Sequence, residues 1–212
     1  MYVSEKMRVI EADLHVEFKH IFEPIPHIDK LPTDILARIK LKDSSKTIMT
    51  RSYASPKKYK EAWGILIQYH LDAGRIRPSS SPFASPAFLT LKTDPTVLPH
   101  WVNDYRQLNA NTIIDSHPLP HVDDILADCT KGKLWGIMDM TDSFFQTCLH
   151  PDDIPLTVVT TPLGLYEWTV MPMGACNSPS VQQCWVTLSY WSCCNCPTGM
   201  YCCNAYHASA AL

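Results

Sequence analysis

Asp139 lies inside Leu134–Phe145, LWGIMDMTDSFF, a short apolar run that otherwise reads as a buried β-strand. A carboxylate in such a place is costly unless a cation or a hydrogen-bond donor meets it. One reading is therefore a metal ligand or a catalytic acid. The other is a strand-end Asp that turns outward and caps the next helix. Other groups could also do chemistry. Asp123 and Asp124 are paired acids, but they sit at the start of a helical pattern, where acids favour the helix dipole. They read as dipole and solubility residues rather than a catalytic pair. Cys193-x2-Cys196 followed by Cys203-x3-His207 has the ligand types of a four-coordinate zinc module. Its spacing matches no familiar zinc knuckle, and it lacks the solubilising charges such modules carry.

The elements that must position Asp139 are legible in the residues on either side of it. Residues 1–54 are interrupted by Pro24, Pro26 and Pro32 and read as an extended or loop-rich lead-in that packs against the rest of the chain. Ser55-Pro56 supplies an N-cap and a first-position proline. Tyr59, Trp63, Leu66 and His70 then recur at helical spacing, and Gly74 stops the helix. RIRPSSSPFASP reads as a basic, Ser/Pro-rich loop. Phe88–Lys92 alternates like a strand, and HWVNDYRQL after a turn suggests its hairpin partner. A second proline-led helix runs through PLPHVDDILADCTKG, with Val122, Ile125, Leu126 and Cys129 on one face. After the Asp139 strand, TVVTT and YEWTV pair across Pro162-Leu163-Gly164. Ser178-Pro179 repeats the cap pattern, starting a helix at about Ser180. Strands alternating with helices, with antiparallel hairpins between them, argue for an α+β domain with an antiparallel sheet.

Composition bounds this further. The chain has 212 residues, 46% hydrophobic and 18% charged, which are globular values. No run of 18 apolar residues appears, so no membrane span is expected, and the acid-containing N-terminus is no secretory signal. Cys129, Cys148 and Cys176 read as reduced, buried thiols in an intracellular compartment, whether cytoplasmic or nuclear. The net charge of −3 conceals an asymmetry, because residues 184–212 contain no Lys, Arg, Asp or Glu. They do contain Cys184, Cys193, Cys194, Cys196, Cys202 and Cys203.

Taken together, GRIRPSSSPFASPAFLTLK, WVNDYRQLNANT, HPLPHVDDIL, IMDMTDSFFQ, HPDDIPLTVVTTPLGLYEWTVMPMG and NSPSVQQ resemble the fingers and palm of a reverse transcriptase of the Gypsy class of LTR retrotransposons, a part of the Pol polyprotein. The resemblance covers about Lys57 to Gln183, and it implies the fingers and part of the palm of a right-hand polymerase over residues 55–183. It also implies RNA-directed DNA polymerisation, in which deoxynucleoside triphosphates are added to a primer on an RNA or DNA template. Two Mg²⁺ ions about 4 Å apart clamp such a phosphoryl transfer, and Mg²⁺ takes hard oxygen ligands.

By this resemblance Asp139 is the first metal-binding aspartate and the Met140 carbonyl a further ligand. The turn Thr141-Asp142-Ser143 aims backbone N–H groups at the triphosphate. Phe144 matches the ring beneath the sugar that excludes a 2′-hydroxyl; sequence alone favours a core aromatic beside Phe145, and it is the register with Asp139 that reverses this. Met173 and Gly174 match the loop that closes over the nucleotide. Lys92 is implied as a triphosphate contact and Arg106 as support for the template strand; either also reads as a solvated surface charge.

Three departures from the family stand out. His100 occupies a position where the family generally has an arginine gripping the triphosphate, and a neutral imidazole supplies no permanent forked charge. The family needs two further aspartates in a Tyr-x-Asp-Asp hairpin downstream, whereas no Asp or Glu follows Glu167. Asp152-Asp153 stand on the wrong side of the motif order to replace them. Finally, the match stops at about Gln183, and residues 184–212 read as a Cys-rich tail unrelated to the family, disordered or poorly packed. The expectation is a truncated fragment, inactive as it stands, with an incomplete Mg²⁺ site and weak, salt-sensitive primer–template binding. A non-catalytic nucleic-acid-binding or interaction remnant, and a pseudogene product, are the alternatives.

Overall fold

The computed structural model describes residues 2–17, 19, 26–92, 94, 97–117, 121–130 and 142–185. The segment 131–141, with Asp139 and Met140, lies outside the described residues, as does 186–212, which holds most of the Cys-rich tail and the zinc-like spacing.

Five strands form one sheet in the order β1-β5-β4-β2-β3. They are β1 (Ile76–Pro78), β2 (Ser85–Thr90), β3 (His100–Asn103), β4 (Val159–Thr161) and β5 (Gly164–Trp168). Both hairpins read from the sequence are present. Leu89 faces Trp101 across β2–β3, and Val159 faces Tyr166 across β4–β5. One pairing departs from the antiparallel expectation: β2 runs parallel to β4, with Ser85 opposite Val159. This contact joins segments far apart in the chain, and no local turn signal announces it. The basic stretch after Gly74 also differs from the loop expected there. It supplies β1 and the start of β2, and its charges are spent inside the molecule: Arg77 Nε donates to the buried Glu167 at 2.7 Å.

Helix α2 (Lys60–Asp72) lies against this sheet. Trp63, Ile67 and His70 recur at intervals of four and three and are its buried residues. Trp63, Trp101, Trp168, His70 and Phe145 form the aromatic centre, with Phe145 stacked on Trp168 at a centroid distance of 5.2 Å. The helix ends where Gly74 adopts φ +71° and donates to the Leu71 carbonyl at 2.9 Å. Its start differs from the expected cap. A 3-10 turn (Lys57–Tyr59) precedes it, and Ser55 Oγ accepts a bond from Trp63 Nε1 at 3.3 Å instead of capping.

The N-terminal segment is not extended throughout. Tyr2–Glu17 forms α1, because its good helix formers run without a proline until Pro24. Residues 26–54 run mostly without regular structure and bury Ala37, Ile39 and Ile48. Their isolated bridges to the body are Ala37–Leu149, Leu41–Thr112 and Met49–Ala84. Helices α3 (Arg106–Asn111) and α4 (Val122–Cys129) complete the named elements. In α4, Asp123 and Asp124 occupy the first turn, but Leu126 is 57% exposed and does not join a buried face. A further helical run covers residues 178–185, beginning slightly before the expected start.

Candidate nucleotide and template site

The chain re-enters the described structure at Asp142, three residues after Asp139. Asp142 adopts φ +48° and ψ +39°, the one non-glycine residue with positive φ among those described. A 3-10 turn, Ser143–Gln146, succeeds it, closed by the Phe145 N–H on the Asp142 carbonyl at 2.9 Å. The two phenylalanines that sequence cannot separate take different places. Phe145 is in the core and Phe144 is only partly buried.

His100 lies close enough to Lys92 and Asp142 to feel both charges, and burial followed by Lys92 lowers its pKa while Asp142 opposes them. Lys92 is exposed.

Met173 and Gly174 are pinned to the other end of the hairpin. The Met173 carbonyl accepts from Asn103 Nδ2 at 3.2 Å, and the Gly174 carbonyl accepts from Asn109 Nδ2 at 2.8 Å. Gly174 adopts φ +94°, and a Cβ there would lie 2.9 Å from the Asn103 carbonyl oxygen. Only glycine allows this approach.

Beside Asn103 opens a pocket of about 610 Å³ lined by Tyr53, Phe88, Val102, Asn103, Asp104 and Arg106. Arg106 is not a free surface charge. It grips Asp104 with Nε at 2.8 Å and Nη2 at 2.7 Å, and Nη2 also donates to the Tyr53 hydroxyl at 3.0 Å. The Tyr53 hydroxyl in turn donates to Asp104 at 2.6 Å. These bonds hold the Asp104 carboxyl far below the usual carboxylate range, with Arg106 the leading cause, and push the Tyr53 phenol up, with Asp104 the leading cause.

Sequence reasoning misses Tyr53, Asp104 and Arg75. Arg75 is 3% exposed and donates to Asp142 at 3.2 Å. Its place in a basic, Ser/Pro-rich run points to solvent instead.

The described residues do not fit a divalent-metal centre on their own. No three of their His, Cys, Asp or Glu side chains cluster to hold an ion. Asp142, Asp104, Asp153 and Glu167 are each engaged by an arginine. Asp153, which motif order already excludes as a replacement aspartate, accepts from Arg38 Nε at 2.7 Å and from the Ile39 N–H at 2.9 Å.

Residues 96–189 match the family described as reverse transcriptase (RNA-dependent DNA polymerase). They form part of a reverse transcriptase domain. The domain is homologous to transposon Pol polyproteins. Over 170 residues, 79% of this chain, it is 32% identical to the retrovirus-related Pol polyprotein from transposon opus of Drosophila melanogaster. It is 34% identical over 149 residues to the enzymatic polyprotein of Cauliflower mosaic virus (strain CM-1841). The chain spans 17% and 22% of those two relatives. The reverse transcriptase domain shares its α+β fold with the crystal structure of the prototype foamy virus protease-reverse transcriptase CSH mutant. That match has a TM-score of 0.72 and 20% identity and covers 89% of this chain and 25% of the other. A second foamy viral protease-reverse transcriptase structure, in complex with an RNA/DNA hybrid, matches with a TM-score of 0.58 and 20% identity over 80% of this chain and 21% of the other.

Proposed function

We propose that this reverse transcriptase domain is the nucleotide- and template-binding portion of a Gypsy-class retrotransposon RNA-directed DNA polymerase, and that the 212-residue chain does not polymerise by itself. The observation that carries the reading is that β3 is bonded at Asn103 to the Met173-Gly174 loop singled out for the nucleotide. At the other end of β3, His100 feels the charges of both Lys92 and Asp142. Phe144, only partly buried beside the core residue Phe145, is the ring offered to the nucleotide sugar. Arg106, fixed by Asp104 and Tyr53, presents a preorganised edge to a template strand.

Asp139 supplies one carboxylate for metal binding, with the Met140 carbonyl beside it. Mg²⁺, when bound in a complete centre of this family, supplies the charge that steadies the attacking and leaving oxygens. Because no Asp or Glu follows Glu167, this chain brings one of the three aspartates such a centre uses. Binding without turnover is the consequence.

Fluorescence anisotropy with a labelled RNA/DNA hybrid tests the binding half. Weak association that falls steeply between 50 and 200 mM salt, in the manner of phosphate contacts, and that weakens further in Arg106→Ala, is expected. No association with the hybrid at 50 mM salt would contradict it.

A further inference from the structure

Arg75 is a cation almost without solvent. Its backbone is fixed on both sides, the N–H donating to the His70 carbonyl at 2.9 Å and the carbonyl accepting from Thr169 at 3.0 Å. Its guanidinium lies 5.2 Å from the Tyr69 ring centroid and 5.1 Å from that of Phe145. Nη1 donates to Asp142 at 3.2 Å and to the Tyr69 hydroxyl at 3.4 Å. A buried charge needs a partner, and Asp142 is the carboxylate brought to it.

Asp142 carries two costs of its own. A non-glycine residue at φ +48° persists only where its surroundings hold it there. Its negative charge is also felt at His100, as is the positive charge of Lys92, and there it would repel an anionic ligand.

We propose that Arg75 is a positioning residue for the nucleotide site: it holds the Asp142 turn in its left-handed geometry and cancels the Asp142 charge, keeping the approach to Lys92 and His100 open to a triphosphate. The inference rests on the reading of that turn as a triphosphate contact.

Calorimetric titration of the full chain with dTTP and Mg²⁺ at low salt tests it. Arg75→Met weakens binding by about tenfold, the cost of one lost charge pairing. Arg75→Lys keeps the cation and recovers most of the affinity. Arg75→Met combined with Asp142→Asn removes the exposed charge and returns binding to within about threefold of the parent. A merely structural role would leave the double variant as weak as the single one. Equal affinity of the parent and Arg75→Met, or no recovery in the double variant, overturns the proposal.

If the parent itself binds no dTTP, the triphosphate reading fails, and hydrogen exchange at the Phe145 amide then decides the positioning claim. Faster exchange there in Arg75→Met, with the Trp168 amide still protected, sustains it; unchanged exchange overturns it. Should Arg75→Met fail to fold by circular dichroism, the double variant Arg75→Met/Asp142→Asn, which leaves neither charge unpaired, carries the same exchange test.

Discussion

His70 shows how a single buried side chain couples this fold to pH. It packs against Tyr69, Trp101, Phe145 and Trp168 with ring centroids 5.0–5.6 Å away, and its Nδ1 meets no partner. Burial, helped by the Arg75 charge, lowers its pKa from 6.5 to about 3. Between those values the unfolded chain holds the proton and the folded chain does not, so stability is full above about pH 6.5 and falls as pH drops toward 3. The slope from this residue is about 1.4 kcal/mol per pH unit, with His100 adding a smaller contribution of the same sign. Denaturant unfolding between pH 7.5 and 4.5 will show this decline, and His70→Leu will flatten it. Equal slopes in parent and variant would refute the assignment. Sequence recognises such residue types but not their burial. His70 fits its helical stripe, whereas Arg75 looks like a surface cation and Phe144 cannot be told from Phe145. Burial depends on partners more than sixty residues away, as with Arg75 and Asp142.

Elements are legible where the signal is local. The β2–β3 and β4–β5 hairpins follow from alternation around turn residues, and α2 from its apolar period with Gly74 at its end. The parallel β2–β4 pairing and the helix α1 are not, the first for want of a local signal and the second because nearby prolines obscure a helix-forming run. The loop at Met173-Gly174 carries a local signal with a non-local cause, since its φ of +94° is needed to pass the Asn103 carbonyl. Gly174→Ala must either strain the backbone or push the loop off β3. A loss of about 1–3 kcal/mol in urea unfolding is expected, together with weaker nucleotide binding. A variant as stable as the parent would show that the loop is not tightly docked.

Over the whole molecule, the balance of charge limits what the domain can hold. Arg38, Arg75, Arg77 and Arg106 are each engaged with a carboxylate, and the net charge is −3. On the proposed reading the grip on a polyanion therefore falls to lysines and the exposed edge of Arg106, and weak, salt-sensitive binding is the expected outcome. The proposed catalytic side is likewise partial. On the proposed reading Asp139 is the residue this chain offers a metal, and the charge-free stretch from residue 184 onward adds no second carboxylate. Primer extension by the purified chain, with Mg²⁺ and all four deoxynucleoside triphosphates on a DNA-primed RNA template, tests this most directly. No nucleotide should be added under conditions where the hybrid is bound. Incorporation that disappears in Asp139→Asn would contradict the assignment of a partial centre.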